Sequence, residues 1–256
     1  MDLKLSGKVA VVTGASKGIG LAITRALVAE GVHVVAGART VPPELAGVRV
    51  VQGDLTTPEG PAQLIDAAIA EFGGLDILVN NVGGVTPRTG GFLSVTDDDW
   101  LTALTINFLA AVRTTRAAVP HLLERGAGSI VTIASVNATL PDPLVIDYSA
   151  AKAALLSFCK SLSKELGPQG IRVNTISPGP VSTGLWLGDA GVAATVGQAK
   201  GLDPDAVAKQ AAGDAVTGRF TQPEEVADLV LLLAGGRAAN VTGTDILIDG
   251  GMTPTL

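Results

Sequence analysis

Aromatic side chains are scarce in this chain of 256 residues: Phe, Trp and Tyr together make 3%, and the sole tyrosine is Tyr148. With so few rings, the core has to be built from Ala, Val, Leu and Ile packed around 32 glycines. That composition suits helices laid closely on a parallel sheet. Cysteine is nearly absent as well. Cys159 has no second thiol, so no intrachain disulfide forms and nothing demands an oxidising compartment. It reads as a small buried helix residue. The two histidines, His33 and His121, fall at a strand start and a helix end without a ligand cluster, so no metal is expected. A formal charge of -6 lacks the basic footprint that nucleic acid or an anionic membrane surface requires. No run reaches the ~18 apolar residues that span a bilayer. Met1-Asp2-Leu3-Lys4 leads into a short apolar run without a signal-peptide pattern. The expectation is a soluble, cytoplasmic protein.

What is present is an alternation of short β-rich runs and longer helical ones. Strands are predicted at Val9–Val12, Val32–Val35, Val48–Val51, Leu75–Asn80, Ser129–Ala134, Ile171–Ile176 and Ile246–Ile248. Their apolar character is continuous rather than alternating, which says both faces are covered. Helices are predicted at Ile19–Glu30, Pro61–Phe72, Asp97–Leu123, Tyr148–Leu166 and Pro223–Ala234. Asp97-Asp98-Asp99 reads as a favourable negative first turn with Thr96 as N-cap. Such repetition implies an α/β fold with an open, doubly wound parallel sheet of about seven strands and helices on both faces. No linker or charge run divides residues 1–256, which are read as one domain. Residues 184–218, rich in Ala and Gly with a helical stretch near Asp203–Ala212, are too long for an ordinary connection and read as a substrate flap.

In such sheets ligands collect beyond the carboxyl ends of the strands, and the chemically interesting residues do follow strands. After the first comes Thr13-Gly14-Ala15-Ser16-Lys17-Gly18-Ile19-Gly20, opening a helix. Glycines there permit a tight turn and bring backbone N–H groups to a pyrophosphate at the positive helix end. The spacing is T-G-x-x-x-G-x-G rather than G-x-G-x-x-G. It resembles the short-chain dehydrogenase/reductase family, and other motifs extend the resemblance over essentially the whole chain. Asp54-Leu55 follows the third strand and Asn80-Asn81-Val82-Gly83 the fourth, with Val where the family has Ala. Asn107 lies in the next helix, Ser135 ends the fifth strand, and Tyr148 and Lys152 open the helix after it. Pro178-Gly179-Pro180-Val181-Ser182-Thr183 follows the sixth.

The resemblance implies a Rossmann-type NAD(P)-binding fold and an oxidoreductase acting on CH–OH or C=O groups. It implies a cofactor-binding set of Gly14, Ser16, Lys17, Gly18, Ile19, Gly20, Arg39, Asp54, Leu55, Asn81, Gly83, Tyr148, Lys152, Pro178, Gly179, Val181 and Thr183. The catalytic set it implies is Asn107, Ser135, Tyr148 and Lys152. In that set Tyr148 exchanges a proton, Lys152 also holds the nicotinamide ribose, and Asn107 positions a water linking Lys152 to solvent. The residues support the assignment on their own terms. Tyr148 and Lys152 stand at i and i+4 and share a helix face. A phenol titrates near ~10 unless tuned. A neighbouring ammonium and a cationic nicotinamide both favour phenolate, which is the tuning acid/base work needs. Ser135, thirteen residues upstream, is placed to polarise the same carbonyl oxygen.

No acidic residue occurs between Val32 and Thr40, where a carboxylate usually grips a free ribose 2′-OH. Arg39 offers a planar fork to a 2′-phosphate instead, and Lys17 adds a second charge. NADP(H) is therefore expected over NAD(H); a solvated Arg39 lying on adenine, with NAD accepted, is the alternative.

Pocket walls are expected from Val82–Val95, Val136–Asp147 and the flap after Pro180. Val136, Leu140, Leu144, Val145, Leu185, Trp186 and Leu187 make the cleft mainly apolar, suited to a small ketone or secondary alcohol. Asn137, Asp142, Asp147 and Arg88 are polar exceptions that read as loop-surface residues. The motifs also resemble 3-oxoacyl-carrier-protein reductases. An acidic carrier wants a basic rim, however, and Gln169 and Ser129 stand where such charge is sought. An NAD-dependent alcohol, steroid or polyol dehydrogenase and a non-catalytic cofactor-binding protein remain as rival readings. Positive mean hydropathy and the apolar stretch Thr244–Leu256 suggest a homo-oligomer. Family resemblance makes it a tetramer.

Overall fold

The computed structural model describes residues 2–254. Met1, Thr255 and Leu256 lie outside the described residues, and with them the end of the 244–256 stretch. Seven strands form one all-parallel sheet: β1 (Val9–Thr13), β2 (His33–Ala38), β3 (Arg49–Gln52), β4 (Ile77–Asn80), β5 (Gly128–Ile133), β6 (Ile171–Pro178) and β7 (Asp245–Ile248). Their order is β3-β2-β1-β4-β5-β6-β7. Every residue of β1 and β4 is buried, which is why these strands carry no in/out alternation.

Each face of the sheet has its own helix layer. Helices α1 (Gly18–Ala29) and α2 (Gly60–Phe72) flank the first half of the chain on opposite faces. The segment read as one helix from Asp97 to Leu123 is three pieces: α3 (Asp97–Leu104), a π-helical turn (Thr105–Leu109) and α4 (Ala110–Arg125). Thr96 caps α3 as expected, its hydroxyl accepting from Asp99 N while the Asp99 carboxylate accepts from Thr96 N. A wide turn of this kind is hard to read from periodicity, since it adds one residue without changing composition. Then come α5 (Ile146–Leu166), three helices between β6 and Asp214, namely α6 (Gly184–Leu187), α7 (Val192–Lys200) and α8 (Pro204–Gly213), and finally α9 (Pro223–Ala234). One core sets Ile23 and Leu27 of α1 against Val230 and Leu233 of α9; the other sets Leu64 and Ile65 of α2 against Leu122 and Leu155.

The chain winds outward from β1 to β3, then returns to lay β4 on the other side of β1. The sheet's direction of winding reverses between these two strands, and a crevice opens at their carboxyl ends. One hydroxyl ties the two sides together there. Thr13 Oγ1 donates to Val79 O (3.3 Å) and accepts from Asn81 N (2.8 Å) and Val82 N (3.2 Å), so its full hydrogen-bonding capacity is used in a buried position. Thr13→Val keeps the shape and strands all three partners. We expect it to cost about 1–3 kcal/mol, read as a lower urea midpoint at unchanged slope.

Candidate active site

The loop after β1 is built so that backbone, not side chains, faces the crevice. Gly14 and Gly18 take positive φ (67° and 54°), a region that L side chains resist. At Gly20 a Cβ would sit 2.2 Å from Gly14 O and 2.5 Å from Asn81 Nδ2, so only glycine lets α1 start this close to the turn. Asn81 Nδ2 donates to Thr13 O and Gly14 O, both at 3.1 Å, locking the loop from the β4 side.

A cavity of about 580 Å3 runs from this loop along the strand ends to α5 and the segment after β6. It is lined by Gly14, Ser16, Lys17, Gly18, Ile19, Arg39, Asp54, Leu55, Asn81, Gly83, Ser135, Tyr148, Lys152, Pro178, Gly179, Val181 and Thr183. Two residues of the sequence-derived set are not on its surface. Gly20 lies beneath the loop as a packing residue. Asn107, in the π-turn, is buried behind Gly83 and Gly84: its Oδ1 accepts from Gly84 N (3.0 Å), and its Nδ2 donates to Gly84 O (2.9 Å) and Ala103 O (3.0 Å).

At the inner end, Lys152 is 3% exposed; its Nζ donates to Ile133 O (2.9 Å) and stands 5.7 Å from the centre of the Tyr148 ring. A Cβ on Gly83 would lie 3.0 Å from Asn107 Oδ1 and 3.5 Å from Lys152 Nζ, so a side chain there would fill the space over the ammonium. Burial pushes the Lys152 amine down to about 8. Burial also pushes the Tyr148 phenol above its ordinary value, with the Ser135 hydroxyl pulling it back as a hydrogen-bond partner. That differs from the expected lowering by Lys152: in the chain by itself, desolvation sets the direction and the Ser135 hydroxyl, not the ammonium, opposes it. Ser135 Oγ accepts from Asn137 N (3.2 Å) and donates to Asn137 Oδ1 (3.4 Å), a long bond that its proton leaves when it turns to a substrate oxygen.

At the outer end, Arg39 is exposed at the end of β2. Asp54 is turned back onto Thr56, accepting from its N (2.9 Å) and Oγ1 (2.8 Å); these bonds, and more weakly the Arg39 charge, hold its carboxyl below the usual range. Around the middle, Val136, Leu140, Leu144, Val145, Leu185 and Trp186 line the cavity, as do Asn137 and Asp142. Leu187 does not. Arg88 and Asp147 are not loop-surface residues: they form an ion pair in which the Asp147 side chain is 3% exposed. Nor is Ser129 on a rim. It is buried, its Oγ donating to Leu233 O (3.0 Å), and both it and Gln169 lie at the amino edge of the sheet, opposite the cavity.

Sequence reasoning missed Ile106 and Met252 in the cavity lining, while Ala211 and Asp214, also there, fall within the 184–218 segment expected to wall it. For Met252 a signal existed. Gly250 and Gly251 both take positive φ (65° and 83°), and Asp249 accepts from Gly251 N (2.9 Å) and Thr253 N (2.8 Å). An Asp-Gly-Gly run after the last strand thus marks a sharp reversal of the tail.

Residues 14–253 match a family model described as Enoyl-(Acyl carrier protein) reductase. The chain is 36% identical to D-threitol dehydrogenase of Mycolicibacterium smegmatis, over 98% of this chain and 95% of that protein. It is 35% identical to 3-alpha-(or 20-beta)-hydroxysteroid dehydrogenase of Mycobacterium tuberculosis, over 98% and 91%. Among solved structures it is similar to L-sorbose reductase from Gluconobacter frateurii, complexed with NADPH and L-sorbose. There the TM-score is 0.91 at 38% identity, covering 100% of both chains.

The buried ammonium has a consequence for stability. Unfolded, Lys152 keeps its proton up to its ordinary 10.5; folded, it releases it from about 8. Above pH 8 the unfolded state therefore binds more protons and the fold gains stability as pH rises. Cys159, pushed from 9.0 up to about 11 by burial, acts in the opposite sense above pH 9. Urea midpoints should therefore rise between pH 8 and 9, and that rise should vanish in Lys152→Met.

Proposed function

The chain is an oxidoreductase of the short-chain dehydrogenase/reductase family, and on that premise we propose that it interconverts a ketone and a secondary alcohol with NADP(H) preferred over NAD(H). The observation that carries the reading is the convergence of Ser135, Tyr148 and buried Lys152 at one end of a cavity whose other end is a glycine cradle. The cradle fits a dinucleotide, because Gly14 and Gly18 take left-handed backbone and a Cβ at Gly14, Gly18 or Gly83 would press on Asn81, Thr183 or Asn107, so the loop closes on the crevice only with glycine there. A bound nicotinamide supplies or accepts the hydride.

The chain's own residues do the rest. Gly14, Ser16, Gly18 and Ile19 present loop and helix-start backbone to the pyrophosphate. Arg39 and Lys17 meet the 2′-phosphate, with Asp54 and Leu55 at the adenine. Pro178, Gly179, Val181 and Thr183 close the opposite side, and Lys152 holds the ribose. In reduction the Tyr148 hydroxyl donates its proton to the carbonyl oxygen while Ser135 Oγ–H steadies the charge developing there. The raised phenol keeps its proton at neutral pH but releases it less readily, so proton exchange in either direction leans on the Lys152 charge. Asn107 serves the group by fixing Gly83 and Gly84, since its amide is already committed. That amide is therefore not free to hold the water expected to link Lys152 to solvent.

Leu140, Leu144, Leu185 and Trp186 favour a largely apolar cleft, with Asn137 as a polar contact. Residues 184–218 act as the substrate flap. The polyol, ketose and steroid named for the relatives all carry a secondary alcohol or ketone, which supports the reaction class. The same reading takes residues 1–256 as one dinucleotide-binding domain and the protein as a cytoplasmic homotetramer; exposed Phe92, Leu93 and Leu101 support self-association.

L-Sorbose, D-threitol and a 3-ketosteroid, each offered with NADPH, NADH or the oxidised forms and followed at the reduced-nicotinamide absorbance, test the proposal. Turnover of at least one is expected. Tyr148→Phe should lower kcat about 10²–10⁴-fold while NADPH still binds; near-normal turnover would defeat the mechanism. Arg39→Ala should cut the NADPH-over-NADH ratio of kcat/KM about tenfold or more, since the loss of a charge-assisted contact to phosphate weakens only one dinucleotide.

A further inference from the structure

Arg88 stands in the loop between β4 and α3, outside the cavity lining, yet it joins α3 to the turn before α5 and to α5 itself, the last two of which wall the cavity. Its backbone N donates to Leu144 O (2.6 Å), in the turn before α5. Its Nη1 donates to Asp99 Oδ1 (2.9 Å), in the first turn of α3. Its Nε donates to Asp147 Oδ2 (3.0 Å), and its Nη2 reaches the same oxygen. The other oxygen of that carboxylate, Asp147 Oδ1, accepts from Tyr148 N (3.0 Å).

Helix α5 starts without a side-chain N-cap, since its N-cap position is Val145. Asp147 supplies the missing acceptor from inside the first turn. A carboxylate this buried is costly unless paired, and the planar guanidinium fork bridges it to a second carboxylate in a way an ammonium does not. An exposed ion pair adds little to stability; a buried, two-acceptor one fixes a register. We propose that Arg88 is a positioning residue for the reaction: by holding Asp147 it sets where Tyr148 enters α5, and so where the phenol hydroxyl stands relative to Ser135 and Lys152. This rests on the proton-exchanging role given to Tyr148.

A displacement of about 1 Å at a reacting group can cost 10²-fold in rate. Arg88→Met is therefore expected to lower kcat about 10- to 100-fold per NADPH-binding site, with the Kd for NADPH changed less than about twofold. Substrate is whichever of L-sorbose, D-threitol or the 3-ketosteroid turns over fastest in the unaltered chain. Counting sites by NADPH titration removes any misfolded fraction, so stability alone does not move the result. Arg88→Lys, which keeps the charge but loses the fork, should fall between the two; it becomes the deciding variant if Arg88→Met binds no NADPH. A kcat within about twofold of the unaltered chain in the deciding variant, or a loss matched by equal weakening of NADPH binding, overturns the proposal. Tyr148→Phe separates the two readings. If it stays active, the Tyr148 role fails; if it is inactive while the Arg88 variants are normal, only the Arg88 inference fails.

Discussion

The join between β1 and β4 is the constraint on which the rest of the site depends. Asn81 donates across it from both its groups, its backbone N to the Thr13 hydroxyl and its side-chain amide to Thr13 O and Gly14 O. These bonds hold open the one place where the sheet reverses its winding. The phosphate-loop glycines, the Gly83 clearing and the carboxyl ends of β5 and β6 are all placed relative to that join. Because both strands are wholly buried, their positions are set by packing on two faces, and the loop above inherits that rigidity.

Desolvation is the second organising force. Tyr148 and Lys152 sit where water is scarce, and each is driven toward its neutral form. Such a pair is poor at holding charge and well suited to passing a proton, since neither member is locked in an ionised state. The Ile133 carbonyl gives the ammonium a fixed partner without cancelling its charge. The chain thereby keeps a cation beside the phenol while spending little hydrogen-bonding capacity on it.

Much of this is legible in the residue order, because it rests on local chemistry. Continuous apolar runs between glycine-marked turns reveal a sheet covered on both faces, and Tyr148 and Lys152 share a face by spacing alone. What escapes is whatever depends on distant partners. Arg88 and Asp147 look like ordinary loop polars until the fold closes 59 residues of separation between them. Asn107 sits in the expected element, but nothing in its neighbours announces that the helix widens there or that its amide faces Gly84. Ser129 looks available on paper and is buried. Met252 lies in a terminal stretch whose own residues carry no sign of the cavity; the signal is in the Asp-Gly-Gly prefix that turns it back.

The widened turn at Thr105–Leu109 sets the angular phase of everything after it. Each residue of a regular helix advances about 100° around the axis. Relative to an uninterrupted helix, α4 is therefore clocked by roughly one such step, so that its Ala118 and Leu122 face the core while Asn107 still faces Gly84, behind the crevice wall. Catalytic side and packing side are thereby decoupled along a single continuous rod. Excising one residue there would force the two faces to compete for the same orientation.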